Sequence, residues 1–259
     1  MVRDDVHAES GGAVLQAGLE DARSGPLLVN PTRETMRELV ETFDEVDPEK
    51  IICTDPHSYN TFKNEYPEVE YENFADDPIM SFEFDGEWNA DGDIDVLHWT
   101  QAVEELVEAD ELGLRGNELD YTVTYHDPCH LGRYNDEYEA PRELIRATGA
   151  TLAEMPRNRS NSFCCGGGGG GLWMDIDEES KPSEERMREA LEDTDAGSDV
   201  EKFVVACPMC MTMYEDGRKT GGYEDDIEIV DVAELLVEAI ENGPGVETTA
   251  ASGATGQAD

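Results

Sequence analysis

Residues 202–210 read KFVVACPMC, an apolar run that ends on a proline bracketed by two cysteines. A short apolar run without polar alternation is the pattern of a strand buried on both faces of a parallel sheet. Pro208 suits the first turn of a helix, where its missing N–H costs nothing. The segment is therefore read as strand, turn and helix, with two thiols at the junction. Outward from it, IICT (51–54), YTVTY (121–125) and IEIV (227–230) are strands of the same kind, and a shorter one is expected at 151–155. Helical spacing appears in Met36, Leu39, Val40 and Phe43, in Val96, Trp99, Val103, Leu106 and Val107, and in Leu235, Leu236, Ala239 and Ile240. A helix near 138–148 is expected to stop at Gly149, and one near 184–193 to start at Ser183 as N-cap. Alternating strands and helices predict an α/β fold with a parallel sheet.

The opening segment has an echo. KIICTDPHS (50–58) aligns with KFVVACPMC (202–210) at a constant offset of 152, so Asp55 and Ser58 stand opposite Cys207 and Cys210. The preceding helices agree at an offset of 151, with Thr32–Glu38 opposite Ser183–Glu189, and that register sets Ala13 and Val14 opposite Cys164 and Cys165. Two pseudo-repeated parallel βα units follow, only the second of which keeps its thiols. The organisation expected is a poorly defined segment 1–25, a degenerate first repeat 26–112 with an acidic excursion at 67–94, an intact cysteine-rich repeat 113–242, and a disordered tail 243–259.

Composition narrows the function. The 259 residues include 62 acidic and 18 basic side chains, a net charge of −44, which argues against nucleic acid or an anionic membrane surface as a direct partner. Only 5 of the basic residues are Lys and 13 are Arg, so the surface suits a salt-loving source, where screening relieves self-repulsion. An acidic cytosolic protein without that history is the alternative. No run reaches the roughly 18–20 apolar residues of a membrane span. The N-terminus, MVRDDVHAESGG, lacks the apolar core of a signal peptide, so a cytoplasmic location is expected. Reducing conditions there make clustered cysteines metal-binding or redox groups rather than disulfides.

Five of the six cysteines fall in one set: Cys129 past the strand YTVTY, the pair Cys164 and Cys165, then Cys207 and Cys210. Zinc takes four protein ligands, so a fifth thiol favours a polynuclear centre, with iron and sulfide leading, or a thiol that reacts. Open parallel sheets hold ligands beyond the carboxyl ends of their strands, which lets three loops deliver thiolates to one point. Helix N-termini there favour negative charge. Gly166–Gly171, including Gly167, would let backbone amides approach inorganic sulfide. Alone, the glycine run would be a flexible linker or a phosphate loop lacking its Lys and Ser/Thr. CPMC alone could be a redox pair or half a zinc site. Cys53, inside an apolar strand, is read as a small buried hydrophobe, and Asp55, His57 and Ser58 as a solvated turn rather than ligands of a hard metal. His126 and His130 bracket Cys129 and could hydrogen-bond around the site or carry protons, while Arg133 could offset negative charge.

These residues also carry a family resemblance. HDPCHLGRY (126–134), APREL (140–144), SFCCGGGGGGLWMD (162–175) and ACPMCMTMYEDG (206–217) resemble the cysteine-rich CCG domain. That domain occurs in the heterodisulfide reductase catalytic subunit and in iron-sulfur subunits of glycolate, lactate and anaerobic glycerol-3-phosphate oxidation systems. The resemblance is specific over 121–240. It continues over 31–66, where DPHSYNTFKNEYPE resembles the degraded end of a first CCG repeat. It implies a [4Fe-4S] or noncubane cluster held by Cys129, Cys164, Cys165, Cys207 and Cys210 at the strand ends. The spacing is C-x34-CC-x41-CxxC, its second gap longer than usual for the family, with the excess assigned to the acidic loop 192–202. The implied role is an iron-sulfur electron-transfer subunit of a dehydrogenase or heterodisulfide-reductase-like complex. Its partners would be a flavoprotein dehydrogenase or ferredoxin-like and membrane electron-carrier subunits, through which the chain could lie at a membrane. The chain shows neither a complete first repeat nor a ferredoxin module, so partners supply them or the chain is truncated. A catalytic thiol/disulfide reductase acting at the cluster, and an inactive remnant binding zinc, are the alternatives.

Overall fold

β1 (Lys50–Cys53) and β2 (Asp95–His98) pair in parallel. β3 (Thr122–Tyr125), β4 (Thr151–Leu152), β5 (Lys202–Val205) and β6 (Glu228–Asp231) form a second parallel sheet in the order β4-β3-β5-β6. The computed structural model describes residues 38–43, 45–67, 88–89, 92–114, 118–173 and 181–242. Segment 1–25, most of the excursion 67–94, the tail 243–259 and the proposed partners Ala13 and Val14 lie outside the described residues. Helices alternate with the strands as expected of an α/β protein with parallel sheets. Residues 38–43 and 45–46 are helical; the helices after β1 are α1 (Pro56–Asn60), which runs on as a π-helix over Thr61–Glu65, α2 (Trp99–Glu108), α3 (Gly132–Asn135) and α4 (Glu139–Ala147), then α5 (Pro182–Glu192), α6 (Pro208–Thr220) and α7 (Val232–Glu241).

Side-chain alternation along the central strands divides the interior into two apolar clusters. Val204 and Val230 face a cluster shared with Leu144 and Ile145 of α4 and Leu235 and Leu236 of α7. The same cluster takes in Val40, Cys53, Tyr59 and Phe62 from the first half of the chain. Phe203, Val205 and Ile229 point the other way, toward Met187 of α5 and Tyr214 of α6, and this second cluster contains Cys165, Cys207 and Cys210. Period-two alternation of a buried run sends neighbouring residues into opposite layers. Each large aliphatic or aromatic side chain so buried contributes about 1.5–3 kcal/mol of transfer free energy.

Two sequence expectations need correction. Val96 follows helical spacing with Trp99 and Val103, yet it is a strand residue of β2, and the helix begins only at Trp99. His98 is the N-cap, closing a capping box with Gln101. A histidine cap is outside the usual Ser, Thr, Asp and Asn set, which hid the boundary. Ser183 is not an N-cap either, because α5 starts at Pro182 with Lys181 as cap. Ser183 is instead fully buried against α6, where a side chain on Gly217 would collide with it, so its small size serves helix packing. The helix expected near 138–148 ends as expected, with Thr148 as C-cap and Gly149 at φ +85°.

Candidate metal centre

β3 and β5 are neighbours, with Tyr125 opposite Val204, so the segments that leave their carboxyl ends begin side by side. Cys129 lies in the turn between β3 and α3, and Cys207 is the N-cap of α6 with Pro208 at its first position. Cys210 sits in the first turn of α6. Cys164 and Cys165 arrive from a third direction, on the segment between the 3-10 turns Arg159–Asn161 and Gly168–Trp173. Cys165, Cys207 and Cys210 are buried, whereas Cys129 and Cys164 are half-buried.

The five sulfurs interact with one another. Cys164 and Cys210 act on Cys165, and Cys210 and His57 act on Cys207, each in the direction that favours the thiolate. Cys129 feels the charges of Cys165 and Cys207. Hydrogen bonds from Cys210 and then His57 draw the Cys207 thiol down to about 6 in spite of its burial. Those from Cys164 and Cys210 lower Cys165 as well, while the donors Cys164 and Cys210 are pushed up. Crowded thiols cannot all ionise without a counter-charge, so protons distribute unevenly among them. Among the described residues no group of three or more His, Cys, Asp or Glu side chains is disposed to hold a single metal ion.

The glycine run has a local reason. Gly166 adopts φ +88° and its N–H donates to Cys164 Sγ at 3.4 Å, while the Gly167 N–H reaches Cys165. A Cβ on Gly171 would overlap the Gly166 carbonyl oxygen, and one on Gly167 would press on Met209 and Met213 at 3.0 Å. Backbone thus wraps the cysteine pair more closely than side chains would permit.

The Cys129 turn is clamped to the Cys164/Cys165 segment by a buried ion network. Arg142 of α4, wholly buried, donates to Asp127 Oδ1 and Oδ2 at 2.6 and 2.9 Å and to Glu154 Oε1 and Oε2 at 2.6 and 3.0 Å. Asp127 Oδ2 also accepts the Arg159 N–H at 2.7 Å, and the Asp127 carbonyl accepts the Ser162 hydroxyl at 3.1 Å. Arg133 donates to the Ser162 carbonyl, and its charge lowers Cys129 against the larger upward push of burial.

His126 is buried away from solvent, 3.0 Å from the Tyr214 hydroxyl, and burial pulls it down to about 3, so it is a neutral group. His130 Nδ1 is 3.4 Å from Cys129 Sγ. Arg186 is fully buried and pairs through Nη1 with Glu189 at 2.7 Å, but its Nε and Nη2 have no hydrogen-bond partner among the described residues. Its charge acts on both His126 and Tyr214, which themselves feel the charge of Cys165. A buried cation with unused donors, acting on the same His126 and Tyr214 as Cys165, is a setting that fits an anionic group such as a thiolate-bound cluster.

One expectation fails here. His57 does not sit in a solvated turn: it is 8% exposed and lies against His130, with ring centroids 4.2 Å apart and the rings tilted by 50°. Asp55, the N-cap of α1, receives the N–H groups of His57 and Ser58 at 2.9 and 3.1 Å and lies 3.4 Å from His57 Nδ1. No sequence signal marked His57 apart from its place opposite Met209 in the echo. Arg186 and Tyr214 were likewise missed, because nothing in a helix sequence distinguishes a buried arginine from a solvated one. Cys53 is part of the core, and burial raises its thiol to about 12.

Several known proteins resemble this chain. It is 36% identical over 211 residues to a Bacillus subtilis protein named probable iron-sulfur-binding oxidoreductase FadF, covering 80% of this chain and 26% of that one. It is 32% identical over 204 residues to the EtfAB:quinone oxidoreductase of Syntrophomonas wolfei, covering 78% and 26%. It is 35% identical over 147 residues to a subunit of the dihydromethanophenazine:CoB–CoM heterodisulfide reductase of Methanosarcina barkeri, covering 56% and 34%. The chain therefore spans about a quarter to a third of the length of these relatives. Residues 123–215, the stretch that holds all five clustered cysteines, match the family model of the CCG cysteine-rich domain.

Proposed function

We propose that this chain is an iron-sulfur electron-transfer module of an oxidoreductase complex, with Cys129, Cys164, Cys165, Cys207 and Cys210 as the cluster ligands. The observation that carries this is that five thiols, brought by three separate turns, act on one another as a group. Soft thiolates in that number suit iron and sulfide better than a hard cation. When bound, a cluster of the [4Fe-4S] or noncubane type supplies reversible one-electron chemistry. The chain's own residues hold the thiolates, orient them through the Gly166 and Gly167 N–H groups, and limit water on the side of Cys165, Cys207 and Cys210. Half-buried Cys129 and Cys164 leave an edge on which a partner's redox group can approach.

The finer organisation belongs to the same reading. The order of the main sheet reverses between β3 and β5, and the crevice at such a reversal is where ligands of parallel sheets gather. We place the cluster there, in a CCG repeat over 113–242, with 26–112 a degenerate repeat whose turn at Asp55–Ser58 copies that at Cys207–Cys210. Both turns follow a four-residue strand, have an extended N-cap and set Pro at the first helical position, which supports the duplication. Relatives named as an EtfAB:quinone oxidoreductase and as a heterodisulfide reductase subunit support a role beside partner subunits, for which we propose a flavoprotein dehydrogenase and ferredoxin-like or membrane electron carriers. Among the described residues no helix is long and apolar enough to cross a membrane; a cytoplasmic location, with membrane contact through partner subunits, belongs to this proposal.

Anaerobic reconstitution with iron and sulfide, followed by metal and sulfide analysis and EPR, tests this in the wild type and in Cys165→Ser and Cys207→Ser. The wild type should take up both elements and give a cluster signal that the serine variants lose or alter. A colourless product binding one zinc, unchanged by either substitution, would defeat the proposal.

A further inference from the structure

The Cys129 turn is held on both sides, and by different parts of the chain. Before it, Asp127 is fixed to Arg142 of α4 by hydrogen bonds of 2.6 and 2.9 Å. After it comes α3, whose four residues are too few to be stable alone. The support on this side comes from the first half. Asn60 and Asn64 stand four residues apart on one helical segment, which brings their amides to one face. Asn64 Nδ2 donates to Asn60 Oδ1 and to Asn135 Oδ1, both at 2.9 Å. Asn135 Nδ2 in turn donates to Asn60 Oδ1 at 3.2 Å and to the His130 carbonyl at 2.6 Å. The buried Asn60 donates through Nδ2 to Glu65 Oε1 at 2.8 Å. Three amides thus close a ring of hydrogen bonds across the two halves, and a satisfied network of this kind rigidifies what it joins. The His57 ring adds a second contact to the same place, 4.2 Å from that of His130.

We propose that Asn64 is a positioning residue of the cluster site: through Asn135 it fixes the His130 carbonyl, and so holds the Cys129 turn in the place from which its thiol serves as a ligand. The inference rests on the cluster reading above and gives the thiol-free half of the chain a task in it. His130 directly follows Cys129, so the backbone leaving the thiol is tied to Asn135. The other four ligands steady one another, since Cys164 and Cys165 are adjacent and Cys207 and Cys210 share the start of α6. Cys129 has no second thiol on its turn and is half-buried, so the brace falls where the ligand set is least constrained. Its contacts involve no sulfur, and they hold the turn with or without a cluster.

The bridge can be cut from either half, by Asn64→Ala or by Asn135→Ala. Val96→Ala, a truncation of a buried β2 side chain, is the control that lowers stability without touching the amides. Alkylation rates of the individual thiols are read by peptide mass spectrometry on the reduced, metal-free full chain. Each protein is also reconstituted anaerobically with iron and sulfide for metal analysis and EPR. Asn64→Ala should raise the rate at Cys129 relative to that at Cys207 about fivefold, the factor that one ordinary hydrogen bond is worth. Because the route runs through Asn135, adding Asn64→Ala to Asn135→Ala should change nothing further. The reconstituted Asn64→Ala protein should show an altered EPR line shape, whereas Val96→Ala keeps that of wild type. If one single variant fails to fold, the other reports the same ratio and the same spectrum. A ratio that stays at the wild-type value, that Val96→Ala raises equally, or that rises additively in the double variant would overturn the inference and leave the cluster reading intact. So would a wild-type EPR line shape in the variants that cut the bridge. A wild type that takes up no iron and sulfide would defeat both.

Discussion

Arg142→Gln is the substitution whose cost the structure defines best. The guanidinium is fully buried and makes five hydrogen bonds, two to Asp127, two to Glu154 and one to the Tyr138 carbonyl at 2.7 Å. Glutamine can replace at most one or two of them and carries no charge. Glu154 has 27% of its side chain exposed and can turn toward water, but Asp127 has 2% and cannot. The cost is therefore that of a buried carboxylate stripped of its counter-ion, about 3–5 kcal/mol. The Arg159 N–H on Asp127 Oδ2 recovers a part, which favours the lower end. For a chain of this size, about 2–4 °C of midpoint per kcal/mol converts 3 kcal/mol into a fall of roughly 6–12 °C. Urea unfolding of the reduced, metal-free protein under anaerobic conditions measures it without any cluster. Because Asp127 is two residues before Cys129 and its partners hold the segment leading to Cys164, the variant should also label faster at those two thiols with an alkylating reagent. An Arg142→Gln protein within about 1 kcal/mol of wild type, with unchanged labelling, would refute the idea that this network holds the two turns together.

Other outcomes follow from single features. His98 is wholly buried and held at about 3, below its ordinary value, so an unfolded chain takes its proton first; stability contributed above the unfolded value near 6.5 is lost as pH falls toward 3. Chemical denaturation from pH 7 to 4 should show His98→Asn, which keeps a good N-cap residue, losing less stability on acidification than wild type. Gly166→Ala forces a side chain into φ +88°, and should cost about 1–2 kcal/mol in thermal unfolding and lower iron uptake on reconstitution. The net charge of −44 predicts that raising KCl increases the unfolding midpoint steadily; a flat dependence would remove the case for a salt-adapted protein.

What the sequence disclosed and withheld follows from the range of the forces involved. Strands β1, β3, β5 and β6 were legible because short apolar runs have few other homes in a parallel α/β protein. β2 was not, because Val96, Trp99 and Val103 satisfy a helical period across a boundary marked only by His98. The cysteine turns were legible as strand-end thiols, since each local pattern is complete within a dozen residues. Which partners surround them depends on contacts across the fold. The pair Arg142 and Asp127 is 15 residues apart, and His57 and His130, whose rings meet at 4.2 Å, are 73 apart. Buried charge is also invisible to hydropathy: Arg142 and Arg186 look like solvated helix residues until their carboxylate partners are located.

On the proposed duplication, the exchange of Cys for Asp at position 55 has a local physical benefit that makes it more than decay. A carboxylate at an N-cap accepts two backbone N–H groups here and stabilises a helix by about 0.5–2 kcal/mol relative to a residue that cannot cap. The five-residue α1 is too short to be stable by itself, and its continuation as a π-helix is the weaker form, so that stabilisation matters more than it would on the thirteen-residue α6. In the second half the corresponding N-cap sulfur is engaged by Cys210 and His57. On that reading the carboxylate that stands opposite the Cys207 thiol caps α1 and lies 3.4 Å from His57 Nδ1, so one group serves both the helix and the histidine. Restoring Cys at position 55 should therefore weaken the hold on His57 and destabilise α1 before it could create any second metal site.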